Sequence, residues 1–196
     1  MQTYSHFLMT AVLNDGLKSR GLPVHTKALL FGSFMPDVPL FLLTLGYVAY
    51  RAWIDPRLPG EHIFGPRYDN LYFHHPLWIT GHNLFHAPVL IALMLGVGYY
   101  LGLRQQKKWG VALFWFAVAC GFHSLVDIFT HHDDGPLLFF PFNWDYRFSA
   151  PISYWDSRYG GRIFAPLEHL LDLAILVYFA VAWALRRKLL KGKETI

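Results

Sequence analysis

Charge is what this chain of 196 residues has least of: Asp, Glu, Lys and Arg make up 15% of it, against 54% hydrophobic residues and a mean hydropathy of +0.28. Soluble globular domains carry roughly 25% charged residues, so the deficit excludes that class and points to a polytopic membrane protein. Cysteine is nearly absent. Cys120 stands alone inside an apolar run, which excludes a disulfide framework. The net charge of +4 comes from a few short clusters rather than a broad basic surface, so nucleic acid is not an expected partner. A basic segment leading into an uninterrupted apolar core is also missing from the first residues, where Tyr4-Ser5-His6 and Asp15 intervene. No cleavable leader is expected there.

The stretch from Gly110 to Thr130 contains no Lys, Arg or Glu. At about 1.5 Å per residue it is long enough to cross a bilayer's hydrocarbon core as a helix. Within it His123 and Asp127 are spaced i, i+4, and His131 follows at i+8, so two imidazoles and a carboxylate share one helix face. That is metal-ligand spacing. A carboxylate in a spanning helix costs up to roughly 3 kcal/mol at mid-membrane and reports a pathway, a partner or a site.

The rest of the chain supplies three more spans. Residues from about Thr3 to Lys18 read as a short amphipathic helix, too short to cross. Lys27 to Tyr50 is a long apolar segment broken by Gly32-Ser33-Phe34-Met35-Pro36-Asp37-Val38-Pro39, a broken or re-entrant helix in which Asp37 also suits an N-cap. Arg51 to Gly81 reads as a polar, proline-rich loop. The second clear span is Asn83 to Leu103, with His82 and His86 at its start and Pro88 in a first-turn position. After Thr130 a long aromatic loop runs to about Pro166, and the last span, Leu167 to Leu185, opens with Glu168, His169 and Asp172. The expected fold is all-α: one domain over residues 1–196, about four transmembrane helices plus the N-terminal amphipathic helix.

All seven lysines lie before Ala28, in the Lys107-Lys108 turn or after Leu185. The positive-inside rule therefore puts the N-terminus, that turn and the tail in the cytoplasm and both long loops outside. His82 and His86, Asp127 and His131, and Glu168 with His169 and Asp172 then collect at the external end of the bundle. Asp37 does not fit easily. About ten residues into its segment, it would stop 10 to 15 Å short of that end on a straight helix at about 1.5 Å per residue. His6 joins the cluster only if its helix folds up into the bundle.

An ordered set of motifs carries a resemblance. It comprises an early His6, Pro36-Asp37 after a small-residue turn, the His82 and His86 pair before a span, His123-x3-Asp127-x2-Thr130, the Gly135 to Phe142 stretch, and Leu167-Glu168 opening the last helix. In this order the chain resembles the predicted membrane-bound, metal-dependent hydrolases of bacteria and archaea, the YdjM-like group, and is distantly similar to zinc-dependent phospholipase C. It departs from the group's pattern at Pro39, where a second Asp is usual, and in the His82 element, which is one residue shorter and lacks its usual Arg, Thr and Ser. The resemblance implies an inner-membrane hydrolase with His6, Asp37, His82, His86, His123 and Asp127 as metal ligands. Asp37 and Glu168 would take catalytic roles, Glu168 as ligand or general base.

Imidazole and carboxylate donors without thiolate suit Zn²⁺ ahead of Mn²⁺ or Fe²⁺. A site near the membrane face is reached most easily by an amphiphile, so the expected partners are membrane lipid and a small-molecule or lipid-linked phosphoester. The alternative is a non-catalytic metal-binding scaffold or a small transporter. A transporter needs polar residues through to the inner face, and the inner halves of the later spans show almost none.

Overall fold

Proline and glycine set most of the helix boundaries. The computed structural model describes residues 1–58 and 60–193. α1 is Thr3–Ser19, α2 Thr26–Gly32, α3 Asp37–Trp53, α4 Pro66–His74, α5 Pro76–Asn83, α6 Pro88–Gly98, α7 Lys108–Thr130 and α8 Gly161–Lys193. Pro66, Pro76 and Pro88 each open a helix, where the missing N–H costs nothing because first-turn donors have no intrahelical partner. Among the described residues there is no strand, only an isolated antiparallel bridge between Leu137 and Arg147.

α7 and α8 are long and apolar enough to cross a membrane unbroken. α2 with α3, and α5 with α6 and its π-helical extension Tyr99–Arg104, pass the same test as pairs bent by 45° and 47°. The all-helical membrane architecture expected from composition is therefore present. On α8 the side chains of Leu170, Leu173, Leu176, Val177 and Val181 are all more than half exposed. In water each would forgo about 1.5–3 kcal/mol of burial, a loss that lipid removes.

α2 rises beside α7 in the same direction. Trp115 Nε1 donates to the Pro23 carbonyl (3.1 Å), and Cys120 Sγ to the Gly32 carbonyl (3.5 Å). Gly32 permits this approach, since a Cβ there would run into the Phe116 carbonyl oxygen. Further down, Gly102 and Gly110 press backbone against backbone across the turn that joins the π-helical segment to α7.

Several sequence expectations change here. The stretch from Arg51 to Gly81, read as a loop, holds α4 and the start of α5, and α8 begins at Gly161 rather than Leu167. α1, expected as a short amphipathic helix, folds against the bundle on its Ser5, His6 and Thr10 face and leaves Phe7 and Val12 exposed on another. It packs parallel to α8 through Ser5 Oγ to Asp172 Oδ2 (3.0 Å) and Tyr178 OH to Asp15 Oδ2 (2.6 Å). The N-terminus, expected beside the Lys107-Lys108 turn, sits at the opposite end of α7, where the Met1 amine meets Asp127 and Thr130. The reason is a polar face on α1: Ser5, His6 and Thr10 are buried, and Ser5 and His6 find Asp172 and Asp127 inside the bundle.

Candidate metal centre

Two helix breaks and one unbroken helix build the site. α7 carries His123 and Asp127 one turn apart, both buried. The break after α2 frees the Ser33 carbonyl, because the Asp37 N–H bonds to Phe34 instead (3.2 Å). His123 Nδ1 takes that carbonyl at 2.7 Å. The same break puts Asp37 in the first turn of α3, where the helix dipole favours a carboxylate. At the second break, before Pro88, His86 Nδ1 reaches the His82 carbonyl at 2.6 Å. Asn83 steadies this corner, donating to the Ile79 carbonyl (2.8 Å) and accepting from the Leu137 N–H (2.7 Å).

A carbonyl can only accept, so both Nδ1 atoms carry the proton and both Nε2 atoms present lone pairs. These two nitrogens lie 3.1 Å apart. Asp127 Oδ2 is 3.0 Å from His123 Nε2 and 3.4 Å from His86 Nε2, and Asp37 Oδ1 is 3.4 and 3.5 Å from the same atoms. Asp37, His86, His123 and Asp127 thus aim four electron-rich atoms, all within 4.8 Å of one another, at one point. Buried lone pairs and carboxylates at such distances repel unless a cation lies between them. The group can hold a metal ion.

The other oxygens of the two carboxylates are engaged as well. Thr3 Oγ1 donates to Asp37 Oδ2 (2.5 Å), and Asp127 Oδ1 faces His6 Nε2 (3.0 Å) and the Met1 amine (2.9 Å). His6 also stacks on His123, with ring centroids 3.7 Å apart. It supports the group from the side rather than pointing at its centre. His131 caps α7, its Nδ1 on the Asp127 carbonyl at 3.0 Å. His82 is one step further out, 3.0 Å from the Tyr72 hydroxyl, which in turn donates to the Asp134 carbonyl (2.6 Å). Burial, reinforced by Asp134, pushes the Tyr72 phenol well above its ordinary range, so it stays a donor. Glu168 is 3% exposed and accepts from the Gln2 backbone N–H at 2.6 Å, capping the start of α1. Asp172 and His169 bind Ser5 and Tyr4 of the same helix.

Asp37 reaches the group because the group does not sit at the end of α7. His123 lies seven residues before the end of α7, about 10 Å down the helix at 1.5 Å per residue. A cavity of about 710 Å³ opens above it, with Asp37, His86, Asp127 and His131 among its lining and Phe64, Tyr68, Tyr72, Phe73, Tyr154 and Trp155 forming an aromatic wall. Sequence reasoning missed Thr3, Ser33, Tyr72 and Asn83. Only Ser33 had a signal, the carbonyl that a break at Pro36 must free.

No curated protein and no solved structure matches the chain. Residues 1–190 match the model of one family, described as YdjM inner membrane protein. With nearly its whole length so matched, and with helices apolar enough to span a bilayer, the chain belongs to the YdjM family of inner membrane proteins.

Proposed function

We propose that the chain is a membrane-embedded, zinc-dependent hydrolase acting on a phosphoester of a lipid or lipid-linked molecule. One observation carries the reading. The five separations among Asp37 Oδ1, His86 Nε2, His123 Nε2 and Asp127 Oδ2 given above run from 3.0 to 3.5 Å. Tetrahedral zinc with ligands at about 2.05 Å sets them about 3.3 Å apart.

Bound there, a dication supplies charge to a phosphoryl oxygen and lowers the pKa of a nearby water. The chain's own groups do the rest. His86 and His123 are oriented through their carbonyl bonds, and Asp127 is steadied by His6, so the donors need no rearrangement as charge develops. Glu168 is the proposed base. One carboxylate oxygen is held by Gln2, leaving the other to take a proton from the attacking water and return it to the leaving alcohol. The P–O bond breaks, the water oxygen joins phosphorus, and the second product is the free alcohol. An amphiphile suits a centre about two turns below the end of α7, because its head can enter the cavity while its chains stay in lipid.

The test is metal analysis of purified protein together with turnover of a chromogenic phosphodiester. Zinc near one equivalent with metal-dependent turnover supports the reading. Zinc-loaded protein inert across a broad phosphoester panel leaves a metal-binding scaffold.

A further inference from the structure

Above the metal-holding group the cavity wall is acidic and aromatic. Asp69 on α4, and Asp133 and Asp134 just after α7, line it beside Tyr68, Tyr154 and Trp155. Among the described residues no lysine or arginine side chain lines it. The positive group present, the Met1 amine, is engaged by Asp127 and Thr130. Arg147, next to this wall, donates Nε to the Gly135 carbonyl (2.8 Å) and lays its guanidinium over the Phe73 ring at 5.4 Å. A dication at the centre balances Asp37 and Asp127. Three carboxylates then remain to face a phosphate that is itself negative, so a purely anionic substrate meets charge of its own sign.

Asp134 narrows this further. Trp155 Nε1 donates to its Oδ2 at 2.9 Å, which fixes the carboxylate against the aromatic wall. Its Oδ1 is buried and has no hydrogen-bond partner. A buried acceptor left unpaired is costly, and a fixed carboxylate among aromatic rings is a receptor for a cation. We propose that the substrate carries a positively charged nitrogen beside its phosphoester, as ethanolamine or choline heads do. The ammonium group is received by Asp134 against Tyr154 and Trp155, and the phosphate lies at the metal-holding group. This rests on the hydrolase reading of the same site.

Zinc-loaded, full-length protein in mixed micelles is offered phosphatidylethanolamine or phosphatidylglycerol with identical acyl chains, and separately the soluble glycerophosphoethanolamine. The amine-headed lipid is expected to be cleaved with kcat/KM roughly tenfold or more above the glycerol-headed one, the scale of a charge-assisted hydrogen bond. Turnover of the soluble diester as well points to a free source of the head, and turnover of the lipid alone to a membrane source; both support the charged nitrogen. Asp134→Asn is expected to raise KM for the amine-headed substrate about tenfold and to abolish the preference over phosphatidylglycerol. If that variant does not fold, Trp155→Ala, which removes the ring proposed to face the ammonium and the donor that fixes Asp134, carries the same expectation for the amine-headed KM. Phosphatidylglycerol turned over as fast or faster overturns this inference and leaves the hydrolase reading standing. Failure to cleave any of the three substrates with zinc bound overturns this inference, and the hydrolase reading falls with it when the chromogenic phosphodiester and the broader panel are left intact as well.

Discussion

His86 and His123 present Nε2 to Nε2 at 3.1 Å, each with its other ring nitrogen bonded to a main-chain carbonyl freed by a helix break. Neither ring can turn to relieve the pair without abandoning that carbonyl. The arrangement is therefore pre-organised for a cation, and the first two predictions test its consequences.

His123→Ala is expected to purify folded, since the ring packs within a bundle held by many other contacts, and to carry markedly less zinc. Loss of a ligand should weaken binding by more than the roughly 10- to 100-fold that loss of a ligand's supporting hydrogen bond costs. Elemental analysis decides, and equal zinc in variant and parent removes the assignment.

His6 and His82 should rank below it. His6 bonds Asp127 from the side and His82 bonds Tyr72, so we expect His6→Ala to lose part of the zinc and His82→Ala to keep nearly all. A His82→Ala protein as metal-poor as His123→Ala would instead make His82 a ligand.

For Glu168 the informative change is to Gln, which keeps shape and removes basicity. If the carboxylate moves the proton, Glu168→Gln keeps its zinc and loses most turnover. A fully active variant reduces Glu168 to holding the Gln2 N–H, a role an amide oxygen can fill.

Close helix approach has its own test. Gly102 and Gly110 leave no room for a Cβ, so Gly110→Leu should force the π-helical segment away from α7 and lower the melting temperature in detergent. Overpacking of this kind costs about 1–3 kcal/mol or more. An unchanged melting temperature would show that the turn yields freely. Gly46, whose Cβ position is open, is the matched control: Gly46→Ala should be tolerated.

Orientation is read by labelling single cysteines. Those placed at Arg57 and Ser157, both exposed and at the site end, are expected to react from outside intact cells, and one at Gln106 is not. Reversed labelling would put the cavity on the cytoplasmic side.

Periodicity, composition and the run from Gly110 to Thr130 were enough to determine an all-helical membrane protein, with His123 and Asp127 on one face of α7, because those properties belong to single segments and their solvent. Asp37 and His86 were also visible as candidates, each beside a proline that must interrupt a helix. What the chain pattern could not decide was depth and direction. A straight helix leaves Asp37 short of the cluster; the 45° bend and the descent of the centre into the bundle bring them together. α1 read only as a short amphipathic helix, with nothing local to say whether it folds into the bundle, and it does so because Ser5 and Asp15 find Asp172 and Tyr178 on a helix more than 160 residues away. The same long-range pairing puts the N-terminus at the site. Glu168 was legible as an acid opening the last span, but its bond to Gln2, like the bond from Tyr72 to the Asp134 carbonyl, joins elements distant in the chain. Local pattern records what a side chain is and which face it occupies; which partner relieves the cost of burying it depends on where the other helices come to rest.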